Sequence, residues 1–280
     1  MENRRMELSK IQQFEYHLRE DEKSAVTIEK YIRDITAFKR FSGEAEIDKK
    51  TVLSYKDWLA DKYAATSANS MLAALNAFFR FCGWFDLCVR QFKIQRKAFC
   101  APEKELTREE YNRLVRTARK QNNERLALLI QTICATGIRV SELSFITVEA
   151  VKRGEASVSC KGKIRTVFII SALQKKLLSY ARMNKLSSGP IFVTKVGRTI
   201  NRSNVWKEMK SLCKQADVSD KKVFPHNLRH LFARTFYSIE KDIAKLADVL
   251  GHSNIETTRI YIMTTGTEHR RRLETMRLVI

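Results

Sequence analysis

From residue 7 to residue 90 apolar side chains recur every three or four positions, and that period most narrows what the chain can fold into. Apolar residues at such spacing line one face of a helix, whereas a half-buried strand alternates every two. Ser24 stands where an N-cap would, ahead of Ile28, Tyr31, Ile32, Ile35, Phe38 and Phe41. A second stripe runs through Val52, Tyr55, Trp58 and Leu59. A third runs through Met71, Leu72, Leu75, Phe78, Phe79 and Phe81. Aromatic rings at these spacings read as core, so a small helical bundle is expected. Only 9 glycines and 3 prolines interrupt 280 residues, which leaves little turn chemistry for an all-β fold.

The period lapses from Gln91 to Lys104, a basic stretch without clear periodicity that contains Pro102. The chain therefore reads as a helical domain over 1–92, a linker over 93–104 and a second domain over 105–280. In the second domain Thr107 and Glu110 have capping-box spacing. An apolar helix over 123–136 meets Gly137 as its stop. Ser141 is a candidate start for a short helix. Residues 156–170 are β-rich on both sides of a Lys-Gly-Lys turn and predict a hairpin. Helices are expected near 172–184 and 202–215, from Pro225 through Phe236, over 241–250 before Gly251, and over an arginine-rich 267–278. The fold class is mainly α with a small β-sheet: a helical N-terminal domain followed by a mixed α/β domain.

Charge narrows the partner. Lys and Arg number 52 against 31 Asp and Glu, a net +21. The excess is lopsided: 15 against 14 over residues 1–92, and 37 against 17 over 93–280. A basic surplus of this size on one domain points to a polyanion, nucleic acid first. Affinity for DNA is then expected to fall steeply with salt. No basic amphipathic anchor with Trp or Phe on its other face suggests a membrane surface. No apolar run approaches the roughly 18 residues that a membrane span needs. MENRRMELSKIQQF lacks the apolar core of a secretory signal. The six cysteines form no CxxC pair and no zinc spacing with histidine, so reduced thiols of a cytoplasmic protein are expected, most of them as small core residues.

The familiar nucleotide, zincin and hydrolase motifs (GxxxxGK[ST], GxGxxG, HExxH, GxSxG) are missing. A different set is present: Arg139 in ATGIRVSEL, Lys161 in CKGKIR, His226 and Arg229 in PHNLRH, His252 in LGHSNIETT and Tyr261 in TRIY. Two arginines can hold a phosphodiester and offset charge developing on its oxygens. A tyrosine hydroxyl can attack phosphorus, a histidine can take its proton, and a lysine can protonate a leaving oxygen. Such a set needs neither metal nor other cofactor. Taken singly, each residue has a bland reading as a surface, cap or packing group.

Order and spacing bind them together. His252 follows Arg229 by 23 residues and Tyr261 follows His252 by nine. In this the chain resembles the tyrosine recombinase (phage integrase) family across residues 107–265, and its N-terminal helices resemble that family's core DNA-binding domain more loosely. The resemblance implies a site-specific DNA recombinase that cuts and rejoins strands through a 3′-phosphotyrosine. Arg139 and Arg229 would grip the scissile phosphate, Lys161 would be the general acid, and His226 the general base or proton relay. His252 would bond a non-bridging oxygen, and Tyr261 would be the nucleophile. Glu142 would orient the Arg139 neighbourhood or be a solvated helix carboxylate. The family's turn is often Gly-Lys-Gly, whereas Cys160 precedes Lys161 here, so Lys163 is the alternative acid. Lys163, Arg165 and Arg202 are expected DNA contacts.

The short two-domain layout resembles Xer enzymes and equally compact integrases of mobile elements. The partners implied are double-stranded DNA with a specific site, and three more protomers in a homo-tetramer, or a hetero-tetramer with a related recombinase. The terminal helix would dock on a neighbour, and an accessory DNA-bending factor is a further candidate. The expected location is the cytoplasm, at the nucleoid. The role is integration and excision of a mobile element or Xer-type resolution. Two alternatives stay open: a type IB topoisomerase-like relaxing enzyme, and a non-enzymatic DNA-binding relative.

Overall fold

The computed structural model describes residues 4–94, 105–160, 163–194, 196–262, 270 and 273–276; of residues 160 and 163 it describes the backbone alone. Two compact units emerge, Met1–Arg96 and Lys97–Ile280.

The first unit holds α1 (Leu8–Glu20), α2 (Ala25–Ser42), α3 (Lys49–Lys62) and α4 (Ala65–Phe81), then a 3₁₀ turn at Phe85–Leu87. The Ser24 hydroxyl accepts from the Thr27 N–H at 3.4 Å, and Asp48 accepts from the Thr51 N–H at 2.7 Å. Both caps satisfy a donor that a helix start leaves free. The three apolar stripes converge on Phe14, Phe38, Tyr55, Phe78, Phe79 and Trp84, all buried. Phe38 meets Tyr55 edge-on at 4.9 Å, and Phe14 meets Phe78 at 5.4 Å. That geometry suits the ring quadrupoles. Asn76, buried among them, clamps Val89 with both amide atoms, at 2.8 and 2.9 Å.

The second unit runs α5 (Arg108–Lys120), α6 (Glu124–Thr136), a 3₁₀ helix (Val140–Phe145), α7 (Val148–Arg153), β1 (Glu155–Cys160) and β2 (Lys163–Phe168). It continues with α8 (Ser171–Met183), α9 (Arg202–Ser211), α10 (Cys213–Ala216), α11 (Pro225–Glu240), α12 (Ile243–Leu250) and α13 (Ile255–Ile262). The Thr107–Glu110 capping box opens α5. Leu126 to Ile130 are all buried, so α6 is apolar on every side and runs through the core. The hairpin is antiparallel, with Val158 opposite Arg165 and Ala156 opposite Val167. Val167 and Ile169 face inward, while Ile164 and Phe168 face out.

Several elements differ from their sequence reading. The turn near Ser141 is a 3₁₀ helix that Arg139 caps, with the Glu142 carboxylate reaching back to the Arg139 N–H at 2.9 Å. The 241–250 segment becomes helical only at Ile243, because the Asp242 carboxylate accepts from the Ala244 and Lys245 N–H groups. Helix α11 continues past Phe236 to Glu240. Among the cysteines whose side chains are described, Cys213 is buried in the core of the second unit, Cys134 is half-buried and packed against that core, and Cys82 and Cys88 are half-buried and packed against the core of the first. The arginine-rich helix expected over 267–278 lies mostly outside the described residues.

Candidate active site

Pro225, at the first turn where its missing N–H costs nothing, starts α11. His226, Arg229 and His230 then share one face at helical spacing. Arg229 is 1% exposed, a full charge taken out of water. Its Nη1 donates to the Gly137 carbonyl, and its Nη2 donates to the Leu250 carbonyl at 2.6 Å and to His252 Nε2 at 2.9 Å. Gly137 caps α6 and Leu250 ends α12. The cation thus sits between two helix C-termini, where unpaired carbonyls carry partial negative charge. Burial pushes the Arg229 guanidinium down to about 10, Arg139 adds repulsion, and the Tyr261 hydroxyl counters both; the group stays charged at neutral pH. Gly137 is left-handed at φ +64, and a Cβ there would stand 2.5 Å from the Phe232 ring. No other residue fits without moving that ring.

A second arginine pair hangs on Glu142, which is 2% exposed. Its carboxylate accepts from Arg139 Nη1 at 2.9 Å and from Arg165 Nη2 at 2.6 Å. Burial alone would raise this carboxyl, but the Arg139 N–H and the two guanidiniums outweigh it and hold it below its ordinary value. Arg165 turns inward because it shares strand parity with Val167 and Ile169. Its Nη1 donates to the Val249 carbonyl at 2.9 Å, so α12 receives guanidinium groups on two successive terminal carbonyls. Gly251, at φ +66, leaves room for it: a Cβ there would lie 2.3 Å from Arg165 Cδ.

Beyond that helix end stands His252. Its Nδ1 bonds the Thr258 hydroxyl at 2.9 Å, and Thr258 is fully buried on α13. One turn further along the same face is Tyr261, 5% exposed. Its hydroxyl lies 3.0 Å from His226 Nε2. The ring of His230 stacks on the Tyr261 ring at 4.2 Å. Burial first, then Arg229, Arg139 and Arg202, hold His226 below its ordinary value. Burial first pushes His230 down to about 4, with His226 and Arg234 adding to it. Burial, then Arg229, Arg139, Arg165 and His226, also push His252 to about 4. Three imidazoles, each biased toward its neutral form, thus surround the Tyr261 phenol beside Arg229.

The structure brings together Arg139, His226, Arg229, His252 and Tyr261. Lys161 lies outside the described residues, and only the backbone of Lys163 is described. Glu142 is a buried bridge between arginines rather than a solvated carboxylate. Arg165 points into the protein toward Glu142 and Val249. Exposed Arg202 lines, with Arg139, His226, Arg229 and Trp206, a cavity of about 680 Å³ beside the site. Among the described residues no group of three or more His, Cys, Asp or Glu is placed to hold a metal ion. Sequence reasoning missed His230 and Thr258. Each sits one helical step from a chosen residue: His230 follows Arg229, and Thr258 precedes Tyr261 by three.

Residues 104–267 match the phage integrase family, and residues 11–84 match the N-terminal SAM-like domain of phage integrases. The tyrosine recombinase XerD of Halalkalibacterium halodurans is 30% identical over 266 residues, covering 87% of this chain and 89% of its own. The tyrosine recombinase XerA of Thermococcus kodakarensis is 30% identical over 277 residues, covering 96% and 95%. Among solved structures, a lambda integrase (75–356) dimer bound to a COC′ core site superposes with a TM-score of 0.75 at 19% identity, over 92% of this chain and 95% of that one. XerH bound to difH substrate in a pre-cleavage complex gives 0.70 at 18% identity, over 91% and 80%.

Proposed function

The chain belongs to the phage integrase family and is a tyrosine recombinase, a DNA strand-transferring enzyme, and from that premise we propose that Tyr261 is its nucleophile at a specific DNA site. The observation that carries this reading is the Tyr261 hydroxyl 3.0 Å from His226 Nε2 and beside Arg229, with Arg139 close enough to act on both His226 and Arg229. Tyr261 Oη forms a bond to phosphorus while the bond from phosphorus to the 5′-oxygen breaks. The phenol proton passes to His226, whose neutral ring is held ready by burial and by the arginines. Arg139 and Arg229 bind the non-bridging oxygens as negative charge builds. Lys161 gives the proton to the departing 5′-oxygen, with Lys163 as its alternative. The strand is held as a 3′-phosphotyrosine, and attack by a free 5′-hydroxyl reverses the step onto a new partner.

The duplex partner follows from the surplus of 37 basic over 17 acidic residues in 93–280. Relatives of this fold are seen as dimers and tetramers on DNA, and we extend that to a tetramer here. The role is site-specific integration and excision, or Xer-type resolution. No helix among the described residues is long and apolar enough to cross a membrane.

The test starts by selecting bound duplexes from a random-sequence pool. The recovered site is then nicked to make a suicide substrate. Wild-type protein is expected to become covalently attached, and Tyr261→Phe to bind equally well without attaching. A covalent adduct with the phenylalanine variant removes Tyr261 from the role. Relaxation of a supercoiled plasmid lacking the site would favour a topoisomerase instead.

A further inference from the structure

The hydrogen bonds around His252 have directions that follow from chemistry alone. Arg229 Nη2 can only donate, so His252 Nε2 accepts at 2.9 Å. A neutral imidazole with an accepting Nε2 carries its proton on Nδ1. Nδ1 therefore donates to the Thr258 hydroxyl at 2.9 Å. In this arrangement His252 offers nothing to a phosphate oxygen, because an anionic oxygen needs a donor. The proton has to stand on Nε2 for His252 to help.

Thr258 is the kind of group that permits the change. A hydroxyl both accepts and donates, whereas a carbonyl or carboxylate in its place would hold the proton on Nδ1. Thr258 is fully buried and sits on α13 one turn before Tyr261. The cations around the ring come from every neighbouring element: Arg139 beside the 3₁₀ helix, Arg165 on β2 and Arg229 on α11, with His226 also facing it. They disfavour a doubly protonated ring, so a neutral ring that changes tautomer is the cheaper route.

We propose that Thr258 is the positioning residue of the site: its hydroxyl holds His252 and reverses its hydrogen bond when a phosphate arrives, turning Nε2 from acceptor into donor. As the oxygen enters, Arg229 turns an N–H from Nε2 to the oxygen. The imidazole gives up its Nδ1 proton and gains one at Nε2 through solvent, and the Thr258 O–H rotates to donate to Nδ1. No net charge changes. Because Thr258 and Tyr261 ride on one helix turn, withdrawal of α13 would remove the nucleophile and disorient His252 together. This deepens the recombinase reading and rests on it for the role of the phosphate.

Two measurements decide it. In the full chain labelled with ¹⁵N-histidine, His252 signals are assigned by their loss in His252→Asn, and inorganic phosphate is the probe. The expected result is a proton on Nδ1 without phosphate and on Nε2 at saturation, with the ring neutral in both. A proton already on Nε2 in the empty site, a doubly protonated ring with phosphate, or a His252 signal that does not change overturns the proposal. On the nicked duplex recovered by selection, Thr258→Val is expected to slow covalent attachment about tenfold at unchanged duplex affinity, and Thr258→Ser to stay within about threefold of wild type. Equal rates for Val and wild type, or a Ser variant as slow as Val, overturn it as well. If wild type attaches to no selected duplex, the reading of Tyr261 as the attaching nucleophile fails, and the tautomer measurement, repeated on Thr258→Val, still judges the His252 change and the part of Thr258 in it.

Discussion

The largest fully buried side chains of the first unit are Trp84, Tyr55, Phe14, Phe38, Phe78 and Phe79; in the second unit the largest is Arg229. The rings need only area and shape, and any ring of similar volume contributes much the same. The guanidinium needs particular partners in particular directions: the Gly137 and Leu250 carbonyls and His252 accept from Nη1 and Nη2, while the buried Nε has no partner within hydrogen-bond reach among the described residues. The rings of the first unit are buried for stability. The second unit has an apolar core of its own and, beside it, buries a cation; taking that charge out of water costs stability where a hydrogen bond is left unmade, and so its burial is a mark of function. Substitutions should therefore separate the two. Phe38→Ala is expected to cost about 3–5 kcal/mol by denaturant unfolding, through lost area and the cavity left behind. Where the variant stays folded, covalent attachment to the nicked site should be close to wild type. A variant that unfolds no sooner than wild type breaks the contrast at its stronger end.

Arg229→Met is the matching change in the second unit. Methionine fills much of the same space but leaves two helix-end carbonyls and His252 without their donor. We expect a loss of stability of about 1–3 kcal/mol and a fall in covalent attachment of about a thousandfold. An activity loss no larger than the stability loss predicts would mean that the buried cation is structural.

The same contrast explains what the sequence made legible. Helices α2, α3 and α4 could be read because each buries an apolar stripe, and so could the Thr107–Glu110 box and the Gly137 stop. Helix α13 could not: of its eight residues only Thr258 and Tyr261 are buried, and neither signals a helix by hydropathy. Five of the six proposed catalytic positions lie at one place, although they span 139 to 261 in the chain; their motifs marked them before any contact was known. Arg165 lies in a basic hairpin, yet its guanidinium reaches Glu142 and the Val249 carbonyl. Its parity with Val167 and Ile169 was the available signal that it points inward. Nothing in the local sequence marks Thr258 as polar core, since its partner is six residues away around a helix end.

Gly251→Ala sharpens the comparison with a smaller effect. The left-handed backbone at φ +66 costs an alanine about 1–2 kcal/mol. The added methyl also meets Arg165 Cδ, and moving Arg165 loosens both Glu142 and the end of α12. Attachment should fall further than stability alone accounts for. Gly43→Ala, at φ +65 and ψ −147 in the first unit with nothing within 4 Å, is the control: its backbone region is nearly confined to glycine, so the strain is at least as large, yet attachment should not change.

The smallest expected effect is on how stability varies with pH, and its part between pH 6.5 and 4 should belong to one unit. In the second unit His230 and His252 titrate at about 4, against 6.5 for a free imidazole, and His226 also lies below that value. Between pH 6.5 and 4 the unfolded chain binds protons that the folded chain refuses. Stability contributed by these groups is therefore complete above pH 6.5, declines as pH falls toward 4, and declines no further below it. Each histidine supplies at most about 1.4 kcal/mol per pH unit, less where water still reaches the ring. Glu142 acts in a lower window. Its depressed carboxyl stabilises the fold above the ordinary value of 4.5 and loses that contribution as pH falls through its folded value. His230→Phe keeps a ring against Tyr261 but removes one titration, so it should flatten the slope between pH 6.5 and 4 while leaving the more acid limb alone. Glu142→Gln should do the reverse. Phe38→Ala should lower the whole stability curve without changing its slope in either window, because the ring it removes binds no proton. If Phe38→Ala instead alters the slope between pH 6.5 and 4 as much as His230→Phe does, the two units do not divide stability and charge between them as their buried side chains suggest.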